Sequence, residues 1–374
     1  MKKKLVNLSL VFLSICFALL LAEVIVRVFI PQSLQYKNEG IWKPDSGLGW
    51  RHHENACVTA NFGEGEITFR TDENGFRINA TGYEQADSSS YGVLVLGDSF
   101  MEAVQVESKG TLPQLLQSRL NSLPEGNMRF YNAGVAGWNP NHYFLEAQRV
   151  LHDTQLKIDE VLVFLYVGND VVRVEVSNYG PSDRLNKRPF RLPGRLRRTE
   201  FVHGIVYPLG DYLERNSQLY MLVKKRNLRL LQGMGLTSRY FPAVFDTAHA
   251  GSESWEVTTH VCKKIQSEFS ERGIPVKFVL IPTTYQVNTG IMQEYIHDFD
   301  INMDSVDLRQ PNRVLAELFT RDSLTLYDPL DFFEAKTQNG EVLYGRFDAH
   351  FNAEGHRAMA DYLLPLFTEG SGQD

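Results

Sequence analysis

Apolar residues fall into three patterns along the chain. From Leu5 to Ala22 there are 18 residues without a charge; as a helix this run is about 27 Å long, close to the hydrocarbon thickness of a bilayer. Glu23 and Arg27 follow four apart on one helix face, where they can pair or reach toward headgroups. Val24, Ile25, Val26, Val28, Phe29 and Ile30 carry the apolar character on to Pro31. Residues 32–88 alternate in short pieces. Ile67–Thr71 reads as a strand and Asn74-Gly75 as a tight turn leading into Phe76-Arg77.

From Tyr91 the apolar runs lose their alternation and are separated by stretches of helical spacing. Val93–Leu96, Phe130–Asn132, Val161–Val167, Val276–Ile281 and Leu324–Tyr327 read as buried strands. Leu112, Leu115, Leu116 and Leu120 mark one helix, and others are expected around Tyr143–His152 and from Ala353. Strands buried on both faces and separated by helices predict an α/β fold, a three-layer α/β/α arrangement on a parallel sheet of about five strands. The predicted organisation is an anchor over 1–31, a small β-rich segment over 32–88 and a catalytic domain over 89–374. The interruption at about 171–255 is expected to form an inserted lid or binding element.

Charge sharpens the reading of the first segment. Lys2-Lys3-Lys4 precede the apolar run, which places the N-terminus in the cytoplasm and the rest of the chain outside, with residues 5–30 in lipid. A cleaved signal is the competing reading, but Leu20 stands where a small residue should precede Ala22, and Ile15 spoils a lipobox at Cys16. The whole chain has 374 residues, 43% of them hydrophobic and 22% charged, which excludes wholesale disorder and fibrous architecture. Its net charge of −7 argues against a nucleic-acid partner. The charge is uneven, since beyond residue 31 it is −10. Yet Arg184–Arg198 holds seven basic residues and no acid, so Arg195, Arg197 and Arg198 are candidate contacts for an anion, against the plainer reading of a solvated loop. A second basic run is Lys224-Lys225-Arg226 with Arg229.

Three cysteines are too few for a disulfide scaffold. Cys57 and Cys262 could pair in an oxidising compartment, although two unrelated buried thiols is the simpler expectation. His52-His53 with Cys57 lacks a fourth ligand at a sensible spacing, so no metal site is expected there.

The chemistry gathers at strand ends. Gly97-Asp98-Ser99-Phe100 directly follows the strand Val93–Leu96, at the edge where open α/β sheets build their sites. After the second strand comes Asn132-Ala-Gly-Val-Ala-Gly137, after the third Gly168-Asn169-Asp170, and near the end Asp348-Ala-His350-Phe-Asn352 before a helix. Nucleophile, amide donors, imidazole and carboxylate together are the inventory for acyl transfer. Asp98 and Asp170 read as loop-holding residues. His356 reads as a packing or surface residue, and Trp138 either as a sugar-stacking wall or as core.

These four blocks, in this order over roughly residues 91–365, resemble the SGNH (GDSL-type) hydrolase superfamily. With Asn74-Gly75-Phe76-Arg77 upstream, the wording is similar to a membrane-anchored bacterial subgroup, which implies the inner membrane, a single pass and an extracytoplasmic catalytic domain. The resemblance implies Ser99 as nucleophile, His350 as general base, and an oxyanion hole from the Ser99 and Gly137 amides and the Asn169 side chain. Many members carry Asp-x-x-His, but Phe347 occupies that acid position here; Asp348 gives Asp-x-His instead, as in some polysaccharide O-acetyltransferases of the superfamily. The expected activity is hydrolysis or transfer of an acyl ester, most simply O-acetyl groups on an extracytoplasmic carbohydrate. It requires no cofactor, and a membrane-bound acyl donor is a candidate partner. The alternative is a non-catalytic carbohydrate-binding or assembly protein that keeps the fold.

Overall fold

The computed structural model describes residues 2–32, 34, 40–62, 64–78, 89–171, 207–233, 243–249, 251, 253–299, 302–345 and 349–368. The chain divides into two compact units. One gathers Met1–Lys37, Asn61–Gly63 and Arg188–Arg239; the other holds the remainder.

In the first unit, α1 (Lys2–Phe29) is one continuous helix. Within it, Val6–Phe29 is long and apolar enough to cross a membrane, and its side chains are almost all exposed. The same unit contains α5 (Tyr207–Asn216) and α6 (Gln218–Gly233).

The second unit is built on an eight-stranded sheet. Strands β1 (Trp42–Asp45) and β2 (Gly49–His52) form a separate antiparallel hairpin. The sheet contains β3 (Cys57–Asn61), β4 (Glu66–Thr71), β5 (Arg77–Ile78), β6 (Tyr91–Leu96), β7 (Met128–Asn132), β8 (Glu160–Tyr166), β9 (Val276–Ile281) and β10 (Thr325–Tyr327). Its order is β10-β9-β8-β6-β7-β5-β4-β3. The five strands from β6 onward pair in parallel, as the unbroken apolar runs predict. The β-rich segment then extends that sheet, with β5 pairing antiparallel to β7 through Arg77 and Asn132.

Both faces of the parallel strands are covered. On β6, Leu94 and Leu96 point to one side with α4 (Pro140–Asp153), α7 (Glu253–Ser270) and α10 (Gln310–Arg321); Phe269, Phe278, Leu315 and Phe319 fill that layer. Val93 and Val95 point to the other side, against α3 (Leu112–Leu120), α11 (Leu330–Gln338) and α12 (Ala353–Leu363), with Leu116, Phe333 and Met359 buried between. Each fully buried Leu, Val or Phe contributes roughly 1.5–3 kcal/mol, so the two apolar layers hold the sheet and its strand ends rigid. The unit also contains α2 (Ser99–Glu102), α8 (Thr284–Val287), α9 (Thr289–Phe299) and a last short helix, Pro365–Thr368. Counted within the parallel part, the strand order is second-first-third-fourth-fifth. That order places its switch point between β6 and β8, where ligands bind in doubly wound sheets.

Candidate active site

Ser99 opens α2 at the carboxyl end of β6, beside that switch point. Asp98 caps the helix, with Oδ1 accepting from Phe100 N at 2.9 Å. Ser99 Oγ lies 2.7 Å from His350 Nε2 and 3.5 Å from Asp98 Oδ2. The pair is brought together across 251 positions of sequence.

His350 is held by its flanks. Its carbonyl accepts from Gly345 N at 2.9 Å, and its neighbour Phe351 bridges to Tyr344. Asn352 caps α12 through Gly355 N and donates from Nδ2 to Val342 O and Tyr344 O. The imidazole packs on the Phe100 ring at 4.8 Å between centroids, and Phe100 also meets Phe351 edge-on. Asp348 and Phe347 lie outside the described residues, as do Arg195, Arg197, Arg198 and the whole Arg184–Arg198 stretch.

The second block is stitched to the first. Asn132 Nδ2 donates to Met101 O at 2.8 Å, and Val135 N donates to Gly97 O at 3.2 Å. A Cβ on Gly134 would meet Met101 Cβ at 2.5 Å, so only a glycine lets the two loops approach this closely. Gly137 has φ +79°, the left-handed conformation that turns the loop back toward α4. Trp138 is buried; it stacks on His142, and its indole donates to Trp50 O. This removes the sugar-stacking reading of Trp138, because its ring is inside the core.

In the third block, Asp170 Oδ2 accepts from Tyr166 N at 2.9 Å and from Tyr143 Oη at 3.0 Å. The Asn169 side chain hydrogen-bonds to Asp98, and its Oδ1 is buried with no hydrogen-bond partner. Asp98 and Asp170 thus hold loops, as expected from their turns. Burial pushes the Asp98 carboxyl up, opposed by the Phe100 amide, the His350 charge and the Asn169 side chain. Burial and then the Asp98 charge hold Asp170 well above the usual carboxylate range.

Sequence reasoning missed the support beneath the nucleophile. Arg77 is fully buried; Nη1 donates to Glu102 O and Ala103 O, each at 2.5 Å, and Nη2 donates to Val106 O at 2.6 Å. Burial pulls its guanidinium down to about 10, with the Glu102 and Glu107 charges opposing. Glu102 in turn accepts from Trp42 Nε1 at 2.7 Å and faces His52 Nε2 at 2.7 Å, while His52 Nδ1 faces Gly75 O at 3.0 Å. The Trp50 indole donates to Ala136 O at 3.0 Å and braces the turn before Gly137. The available signals were the Asn-Gly-Phe-Arg wording and an acid three residues after Ser99.

Other expectations are revised. Cys57 is exposed and Cys262 buried, and both are free thiols, which overturns both a pair and two buried thiols. His356 is buried, and its Nδ1 accepts from Leu112 N at 3.3 Å, so it packs α12 against the start of α3. Burial lowers it to about 3, with Arg77 and His350 adding to the shift.

Neither a family model nor a curated protein matches the chain. Solved structures do. A member of the lipolytic protein G-D-S-L family from Veillonella parvula is 14% identical with a TM-score of 0.38, over 75% of this chain and 99% of that one. The acetyl xylan esterase AlAXEase is 15% identical with a TM-score of 0.39, over 74% and 98%. A two-domain esterase active on acetylated mannans is 9% identical with a TM-score of 0.40, over 76% of this chain and 50% of that one. The chain's own features are the order of its four blocks, the parallel sheet beneath them and the Ser99–His350 contact they produce.

Proposed function

We propose that the protein is a serine-dependent acyl-ester hydrolase or transferase. The observation that carries this is the 2.7 Å contact between Ser99 Oγ and His350 Nε2 at the carboxyl end of β6. Ser99 Oγ attacks the acyl carbonyl carbon while His350 Nε2 takes the hydroxyl proton. The carbonyl oxygen becomes an oxyanion that accepts from the Ser99 and Gly137 amides and the Asn169 side chain. Collapse of the tetrahedral intermediate breaks the bond to the leaving alcohol, which receives the proton from His350. A water or a second alcohol then gives its proton to His350 and attacks the acyl-serine; the acyl–Oγ bond breaks, His350 returns that proton to Ser99 Oγ, and an acid or a new ester leaves. Asp348 is the carboxylate that orients the imidazole in this scheme.

The substrate class we propose is an O-acetylated carbohydrate outside the cytoplasm. It follows from the Asp-x-His wording shared with polysaccharide O-acetyltransferases and from an α1 able to hold the enzyme in the inner membrane by a single pass. A membrane-bound acyl donor is the partner a transferase would need.

Labelling with a fluorophosphonate tests the catalytic reading. One adduct is expected on Ser99, and Ser99→Ala should lose both the adduct and ester turnover by a factor of about 10⁴ or more, with no further loss on adding His350→Ala. Equal labelling of the Ser99→Ala protein would refute it and favour a binding role. Acetate release from an acetylated donor, measured with and without a glycan acceptor, separates the two fates of the acyl group; transfer predicts that the acceptor diverts acetate into new ester.

A further inference from the structure

The end of α1 is tied to the α5–α6 corner by a knot of hydrogen bonds inside one compact unit. Glu23 Oε2 accepts from Ser217 Oγ at 2.7 Å and from Leu219 N at 2.9 Å; its Oε1 accepts from Gln218 N and Arg27 Nε, both at 2.8 Å. Arg27 Nη2 donates to Asn216 O at 2.6 Å, and Gln218 Oε1 accepts from Gln32 N at 3.0 Å. Glu23 therefore supplies, from almost two hundred positions away, the carboxylate that the free amides at the start of α6 require.

This fixes the height of the corner. Seventeen residues of helix separate Val6 from Glu23, a rise of about 26 Å, which sets Glu23 near the far edge of a hydrocarbon layer of about 30 Å. The two helices tied there are amphipathic, and α6 is basic. Leu209 and Tyr212 lie three apart on α5 and are 53% and 62% exposed; Val223 on α6 is 46% exposed. Tyrosine with an apolar neighbour is the composition of a headgroup layer. Between Tyr207 and Gly233 there are five basic residues and two acidic ones, with Lys224-Lys225-Arg226 and Arg229 all on α6. Glu214 pairs with Lys224, and Arg226 is exposed.

We propose that the α5–α6 pair lies on the extracytoplasmic surface of the bilayer that α1 crosses, with Leu209 and Tyr212 in the headgroup layer and the exposed Arg226 against anionic lipid phosphates. The proposal rests on α1 spanning the membrane, and its test reads the two statements separately. Cysteines are placed one at a time in the full chain by Leu13→Cys, Leu209→Cys or Tyr212→Cys, with Cys16 and Cys57 changed to serine and the buried Cys262 kept, the protein without an added cysteine serving as the labelling blank. Each is labelled with an environment-sensitive fluorophore in nanodiscs of phosphatidylcholine with or without phosphatidylglycerol.

Mid-chain doxyl lipid should quench the label at 13. Doxyl placed near the headgroup should quench labels at 209 and 212, more strongly when phosphatidylglycerol is present. Arg226→Gln should lower the docked-to-free ratio about fivefold. Quenching at 13 with doxyl-free brightness at 209 and 212 overturns the surface docking while leaving the spanning helix intact. No quenching at 13 overturns both. Quenching at 209 and 212 that ignores phosphatidylglycerol and the Arg226 substitution overturns the anionic-lipid contact.

Discussion

At the residue scale, two buried titratable groups have opposite consequences. His356 is neutral in the fold because burial lowers it to about 3, whereas the unfolded chain protonates it near 6.5. Below 6.5 the unfolded state binds the extra proton, so stability falls as pH drops through 6.5 and keeps falling to about 3. Between pH 7 and 5 this group alone accounts for about 2 kcal/mol. His356→Asn keeps an acceptor for Leu112 N and should flatten that slope in Tm measured across pH 5–7; an unchanged slope would assign it to other groups. Asp170 behaves in the reverse sense. With its pKa held above that of the unfolded chain, the folded state binds more protons above about pH 4, so the group costs stability as pH rises. Asp170→Asn should therefore be tolerated within about 1 kcal/mol and gain relative to the parent at higher pH. Asp170→Ala, which strips the Tyr166 amide and Tyr143 hydroxyl of their acceptor, should lose about 1–3 kcal/mol in denaturant titrations.

At the element scale, the nucleophile turn is short and depends on strands outside the parallel sheet. Helix α2 has four residues and ends at Ala103 in the left-handed conformation, leaving the carbonyls of Glu102, Ala103 and Val106 turned inward. The Arg77 fork from β5 satisfies all three. A lysine ammonium has no planar fork with which to reach them together. Arg77→Lys should lower stability by about 2–4 kcal/mol. Above its unfolding midpoint in denaturant it should lose fluorophosphonate labelling of Ser99 in step with loss of structure. A variant that labels at the parental rate with unchanged stability would show that the turn holds itself.

At the scale of the whole molecule, thiol chemistry reads out the orientation of the chain. Cys16 lies in the apolar helix, Cys262 is buried with its thiol pushed up by burial, and Cys57 is exposed. A membrane-impermeant maleimide should therefore label intact spheroplasts at one position, Cys57, because only an exposed thiol forms accessible thiolate. Protection of Cys57 until the membrane is opened would reverse the proposed orientation.

The same scale separates what was legible from what was not. Local hydropathy and turn chemistry determined α1, the five parallel strands within a residue or two, and the loops bearing Ser99, Gly137, Asn169 and His350. Each of these is a property of a short window: an uncharged run, an apolar run without alternation, a glycine or polar cluster at a strand end. Only tertiary structure decided that Trp138 is core, that Cys57 and Cys262 stand apart, that the β-rich segment extends the main sheet, and that Arg77 and His52 support the turn behind Ser99. It also decided that Glu23, inside an apolar helix, caps α6. Each of these contacts joins residues far apart in sequence, and burial of a polar group is fixed by what the fold brings to it rather than by its neighbours along the chain.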